Sequence, residues 1–351
     1  MLASAAGARG VSPYLPLHQS PDIERKIERL MILAGRPVMT RPIPAAVVLD
    51  ALPTACERAP ALCAEVRRYL SGYMRTAGIG HLEVDVAAAG DEAVPLPNRH
   101  GMASDSGYEV TGSVYWQPQG RWIVNIGMQA YDGETTPTGT MISAGSQYAQ
   151  VDVGFRDHWF SPLTDASMLI GTQAPTMPSL TVSNYEPISR FGFRYEVFFA
   201  QMSESQSIQT LTGPTTGEPV LSGVHLSIEP FPGWSVGINR IMQFGGGERD
   251  ESLRDWFNAF FNPSKNDNTG TPADFGNQAA SFTTSFVWPG VVPGAVYFEY
   301  AGEDTSNNNS LRLGNSALSA GVFLPQLGGR FDLTVEASEW QNGWYEHHVY
   351  L

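Results

Sequence analysis

The chain is dominated by segments in which every second residue is apolar, and the links between those segments follow a rule of their own. In FGFRYEVFF, residues Phe191, Phe193, Tyr195, Val197 and Phe199 fall on one side of an extended chain, and Gly192, Arg194, Glu196 and Phe198 on the other. Successive side chains leave a pleat in opposite directions, so the segment reads as a strand. The same alternation sets Trp122, Val124, Ile126 and Met128 against Arg121, Asn125 and Gln129, and Phe331, Leu333, Val335 and Ala337 against Asp332, Thr334, Glu336 and Ser338. It predicts strands near 81–88, 108–117, 121–131, 146–156, 165–172, 179–186, 191–202, 220–230, 233–244, 278–288, 294–304, 317–324 and 329–340. Many of them run to about ten residues, the length a tilted strand needs to cross hydrocarbon; soluble strands average about five or six.

Tight links at 118–120, 187–190, 231–232, 289–293 and 325–328 alternate with long polar segments at 89–107, 132–145, 203–219, 245–277 and 305–316. The order breaks only around 157–178, which this topology places on the short-turn side. Outer-membrane barrels keep short turns at one end and long loops at the other. A large soluble sandwich or propeller has no reason to sort its loops this way. The predicted fold is therefore all-β: a large antiparallel transmembrane β-barrel over residues 81–351. The aromatic side of Phe191–Phe199 faces lipid in that reading, and Arg121, Arg156, Arg194, Glu196 and Asp332 face the lumen. Arg240 falls on the apolar phase of 233–244 and reads as a bulge or a rim position.

Residues 12–80 have a different period. Ser20 as N-cap, Pro21, and Asp22 and Glu24 in the first turn precede a stripe of Ile23, Ile27, Leu30, Met31 and Ala34 that ends at Gly35 and Pro37. A second short helix is predicted over Pro44 to Leu52 and a third from near Pro60, which together make a small helical module. Cys56 and Cys63 are the only cysteines, and a turn at Ala59-Pro60 could bring them together. In an oxidising compartment a disulfide is the favoured reading, with two buried thiols as the alternative. Residues 1–11 read as the remnant of an export signal or as a flexible N-terminus, since the small residues of a cleavage site are present without a preceding apolar stretch. No run approaches the roughly 18 apolar residues of a membrane helix. With 21 basic against 35 acidic residues the net charge is −14, the wrong sign for tracking a phosphate backbone, so no nucleic-acid partner is expected.

Several stretches resemble the Wzi family of capsule-assembly outer-membrane proteins. They are SPYLPLHQSPDIERKIERLMILAG and the following RPI, APTMPSLTVSN, LSIEPFPGWSVGINRIMQFGGG, GNQAASF, FEYAGEDTS, LGNSALSAG and FDLTVEASEWQNGWY, and they extend over nearly the whole chain. The resemblance implies an outer-membrane barrel closed on the periplasmic side by helices and narrowed outside by loops. It also implies a non-catalytic, lectin-like role: binding exported capsular or exopolysaccharide at the cell surface, with outer-membrane lipid and other polysaccharide-export components as partners. The family's barrels have about eighteen strands, whereas thirteen are predicted here with a further start at Glu346 to Leu351. That difference reads as a C-terminal truncation. A porin or transporter for small solutes is the alternative function.

No catalytic constellation, metal set or cofactor motif is expected. RDHWFSP gathers Arg156, Asp157, His158 and Ser161, but a triad assembles from separate segments, and a hydrogen-bonded turn is the simpler reading. Glu336 and Glu339 fall on opposite faces of a strand, as do His347 and His348. Sugar binding needs aromatic faces and planar polar groups on loops that a rigid wall positions. The candidates are Trp256 and Phe257, in a predicted short helix with Leu253, Phe260 and Phe261; the tip residues Asn307 and Asn308; and Trp340, Gln341, Asn342 and Trp344. Most of that helix's apolar residues are expected to pack it onto loops or the barrel rim.

Overall fold

A computed structural model describes residues 10–344 apart from 18, 87–95, 98–102, 105–106, 132–133, 173–174, 250–251, 263–274 and 304–312. Three helices come first: α1 (Pro21–Leu33), α2 (Ala45–Arg58) and α3 (Pro60–Leu70). The strands of the first half are β1 (Ala77–Val86), β2 (Leu96–Pro97), β3 (Ala103–Ser104), β4 (Tyr108–Gln119), β5 (Trp122–Tyr131), β6 (Glu134–Thr136), β7 (Met141–Ser146), β8 (Ala149–Gly154) and β9 (Ser179–Ser183). After them come β10 (Arg194–Gln201), β11 (Ser205–Thr210), β12 (Gly213–Gly217), β13 (Val220–Phe231) and β14 (Trp234–Phe244). Helix α4 (Leu253–Phe261) precedes β15 (Gly276–Trp288), β16 (Gly294–Gly302), β17 (Ala317–Leu327) and β18 (Phe331–Trp340).

The wall is one antiparallel sheet in the order β1-β4-β5-β7-β8-β9-β10-β13-β14-β15-β16-β17-β18, with β6 pairing onto β5. Strands β11 and β12 form a separate hairpin within the long link from β10 to β13, and β2 and β3 pair with each other. Among the described residues β1 and β18 each have one neighbour in this path.

Two expectations are corrected here, and together they restore the loop rule. Residues 165–172 form no strand; Met168 and Leu169 are buried instead against Ala279, Ala301 and Ala317 of the wall. Residues 141–145, expected inside a long loop, form β7 together with Ser146. Short turns and long links then alternate except at 184–193, a short-side link as long as the 132–140 link on the other side, and 155–178 becomes a long-end link that folds inward. A third correction concerns α2, which runs through Pro53 to Arg58 and past the expected end at Leu52.

The wall inverts the arrangement of a soluble protein. Gln150, Asp152, Thr181, Glu196, His225, Asn239, Ser281, Thr283, Glu299 and Ser319 are buried on one face. Ile126, Ile142, Val153, Leu180, Ile238, Phe282, Phe286, Val296 and Phe298 are exposed on the other, Ile126 at 59%. This exposed apolar band recurs on strand after strand, far beyond the isolated patches of soluble monomers.

The polar face wraps around the helical module. Helices α1, α2 and α3 share a core of Ile27, Leu30, Met31, Val48, Leu52, Val66 and Leu70 that Tyr185 of the β9–β10 link joins. The Cys56–Cys63 disulfide fastens α2 to α3 across the Ala59-Pro60 break, with Cα atoms 5.4 Å apart. Ser20 makes no side-chain cap on α1, so Pro21 and the acidic first turn carry its start. The module sits at the short-turn end: the Val11 amide donates to Gly120 O at 2.7 Å, Arg58 reaches Pro289 O, and Arg29 reaches Gln326.

Candidate functional site

Inside the wall, a chain of buried charge ties the module to the strands. Tyr14 donates through its hydroxyl to Asp152 Oδ2 on β8 at 2.8 Å and lies under the Arg156 guanidinium, 4.2 Å from the ring centroid. Arg156 Nη1 donates to the same Asp152 oxygen at 2.9 Å, and Nη2 donates to Glu196 Oε2 on β10 at 2.5 Å. His158 Nδ1 meets Glu196 Oε1 at 2.8 Å, and its ring stacks on Phe198 with centroids 3.8 Å apart. Two carboxylates and one guanidinium are thus desolvated together, each with partners, which is the condition under which buried charge is tolerated.

Burial alone would lower the affinity of Arg156 for its proton, but Glu196, Tyr14 and Asp152 outweigh it, so the group is held above its ordinary value. Burial also pushes the Tyr14 hydroxyl well above its usual range. It lowers His158, against the opposing pull of Glu196. A histidine with a depressed folded pKa adds stability above its unfolded value of about 6.5, and that contribution is lost as pH falls through the window below it. The thermal midpoint in detergent is therefore expected to drop from pH 7.5 to 5.5, with a shallower slope in His158→Gln; an unchanged slope in that variant would show that other groups set it.

The link 155–178 is gripped along its length. Arg41 and Trp159 exchange backbone hydrogen bonds at 3.0 and 3.1 Å, and Arg41 pairs with Glu28 at 3.0 Å. Ser161 donates to Glu299 Oε2 on β16 at 2.7 Å. Glu336 on β18 accepts from the Thr164 amide and hydroxyl at 2.9 Å each, from the Asp165 amide at 2.8 Å and from Tyr297 at 2.8 Å. His158 lies between Glu196 and Ser179, whose Oγ is 3.5 Å from Nε2. All three are buried and the Phe198 ring closes one face of the imidazole, so no substrate reaches that line. The RDHWFSP stretch lies on the long-link side, contrary to its expected position, and acts as a lock.

The expected lumen charges divide. Arg156 and Glu196 carry the lock; Arg194 lines a cleft of about 1020 Å³ between the module and the wall, together with Glu229 and Arg36. Arg121 instead lies exposed in the β4–β5 turn, and Asp332 is exposed beside the β17–β18 turn, where it accepts from the Gln326 amide at 2.9 Å. Turn geometry takes both away from the lumen although their phase is right. The residues that sequence reasoning missed are Tyr14, Arg41, Glu299 and Glu336. The last two lie on the inward phase of strands, which was a signal; Tyr14 had none.

The sugar candidates also divide. Trp340 ends β18 on the inward phase and is 61% exposed. Trp344 packs at the long-link end of the lumen against the cluster of Met168, Leu169, Ala279, Ala301 and Ala317. Gln341 is occupied in exchanging hydrogen bonds with Ser316 at 3.0 Å each way, and Asn342 is exposed in the following turn. Asn307 and Asn308 lie outside the described residues, as do His347 and His348. Trp256 is buried: its indole donates to Ser222 at 2.7 Å and faces Phe199 and Phe260, so it offers no free ring to a sugar. Phe257 is 54% exposed on α4, which lies against the outward face of the wall, away from the lumen mouth. Among the described residues no cluster of metal-ligating side chains occurs.

This arrangement has known counterparts. The profile of the family described as capsule assembly protein Wzi matches residues 99–351. A Klebsiella pneumoniae relative, described as an uncharacterized 55.8 kDa protein in the cps region, is 23% identical over an alignment of 236 residues that covers 62% of this chain and 43% of that protein. The chain thus aligns with less than half of that relative's length. A solved structure of Wzi, described as an outer membrane protein involved in group 1 capsule assembly in Escherichia coli and as a carbohydrate-binding β-barrel, superimposes with a TM-score of 0.70. That superposition covers 98% of this chain and 75% of that one at 16% identity, which establishes a shared fold. With the family profile matching well over half of its residues, the chain belongs to the Wzi capsule-assembly family.

Proposed function

We propose that this protein is an outer-membrane barrel that holds exported capsular or exopolysaccharide at the cell surface without turning it over. The observation that carries the reading is the inversion of polarity combined with an occupied lumen. The outer face is apolar and suited to lipid, while the inside is filled by the helical module and the 155–178 link. The module sits at the short-turn end, which in such barrels is periplasmic, and the long links then face outward. Trp340 and Trp344 lie at the long-link end, where a glycan would meet them. The test is binding of purified protein in detergent to the host's own exported glycan. Trp340→Ala and Trp344→Ala are each expected to weaken binding by about 1–3 kcal/mol, the scale of a lost aromatic contact. Unchanged binding in both would remove these residues from the site.

One observation favours passage of small solutes instead: the cleft of about 1020 Å³ beside the module. Planar-bilayer recording decides between them, since large steady channels in the intact protein would overturn the anchor reading.

A further inference from the structure

Helix α4 lies on the wrong side of the wall for a lumen loop. Its packing partners Val224, Met242 and Phe244, with Phe199 and Leu226 beside them, all belong to the outward phase of β10, β13 and β14. The outward phase of β13, β14 and the adjoining β15 also carries three polar groups, Ser222, Arg240 and Gln278, at the long-link end. The helix satisfies them. Trp256 Nε1 donates to Ser222 Oγ at 2.7 Å, while Arg240 donates to Phe260 O at 2.7 Å and Ala259 O at 3.0 Å and also reaches Gln278. Arg240, expected to mark a bulge or rim, thus binds the last carbonyls of a helix, where a cation is favoured. A capping box of Ser252 and Asp255 fixes the other end.

The helix has three sectors. At 100° per residue, Trp256, Ala259 and Phe260 form the buried side, and Arg254, Asp255 and Asn258 form a polar side. Between them runs an apolar stripe of Leu253, Phe257 and Phe261, exposed at 67%, 54% and 71%. The stripe continues the apolar band that the neighbouring strands present at Ile238 and Phe282, so the same medium covers both. We infer that α4 is an interfacial helix: it lies along the barrel's outer surface, with Leu253, Phe257 and Phe261 in the acyl chains of the leaflet on the long-link side and its polar side at the headgroups. The inference rests on the membrane-barrel reading above and adds a second lipid-binding element to it.

The test uses the intact protein in phosphatidylcholine vesicles. Because Cys56 and Cys63 are bonded to each other, a single introduced thiol can carry an environment-sensitive fluorophore. Phe257→Cys and Phe261→Cys are compared with Asn258→Cys on the polar side and Phe282→Cys on the strand face. Nitroxide placed high on the lipid chains is expected to quench positions 257 and 261 as strongly as 282, while an aqueous quencher reaches 258. Quenching at 282 with none at 257 and 261 would overturn the interfacial helix and leave the barrel standing, whether those sites answer to the aqueous quencher or are shielded from both by a second copy. Absence of lipid quenching at 282 as well would sink the barrel reading and this inference with it.

Discussion

Replacing Arg156 with alanine is expected to cost about 3–5 kcal/mol, because it leaves both Asp152 and Glu196 charged, buried and without their cation. The loss has a second face. Arg156 bridges β8 and β10 and covers the ring of Tyr14 of the N-terminal segment, so the same change should loosen the helical module within the wall. Urea unfolding in detergent measures the first effect. Bilayer conductance and protease sensitivity of residues 10–70 measure the second. Arg156→Lys should fall between the two proteins, since an ammonium lacks the fork that serves two carboxylates at once. A change under about 1 kcal/mol in the alanine variant would mean that the charges are solvated and the lock does not exist.

Phe198→Ala should cost about 3–5 kcal/mol, since a fully buried ring with little room for collapse leaves a cavity behind. The ring lies against Gly223, its directly opposed residue on β13, where an added Cβ would stand 2.1 Å from it. Gly223→Ala is therefore expected to destabilise by about 1–3 kcal/mol through overpacking. Combined with Phe198→Leu it should lose less than the sum of the single changes, because the two side chains compete for one space. Tyr297 and Gly321 repeat the arrangement on β16 and β17, again at 2.1 Å. In both places glycine lets an aromatic ring lie flat along the inner wall, which leaves the lumen free for the module and the 155–178 link. Additive losses in the double variant would show that the ring moves aside at no cost.

Much of the wall was legible because its strands are long and two-faced. Twelve of the expected strands correspond to observed ones, and the side of Phe191–Phe199 predicted to meet lipid does turn outward, although α4 covers Val197 and Phe199 there. Failures came where local composition hides a strand or imitates one. Met141–Ser146 carries serine and glycine in its pattern and reads as loop, yet pairing with β5 and β8 on either side makes it a strand. Met168, Leu169 and Ile170 are apolar for another reason, since they fill the lumen, the first two beside Ala279, Ala301 and Ala317 and the third against Phe160, Phe198 and Ala200. Arg240 was misread because periodicity identifies a face, but not a helix from elsewhere in the chain that covers it; the burial of Trp256 is the packing expected for most of that helix's apolar residues. The lock was partly visible in the charges of RDHWFSP, whereas the reach of Tyr14 across 138 residues to Asp152 left no trace in spacing.

The contacts at the short-turn end carry a consequence for biogenesis. Arg29 on α1 meets Gln326 at the end of β17, a separation of 297 residues, and Arg58 meets Pro289 at a separation of 231. Contacts so remote in sequence form late, because the intervening chain must be ordered before they can be made. The helices of the module, which precede every wall strand in the sequence, are thus among the last elements to find their seat, and until then their apolar faces stay uncovered.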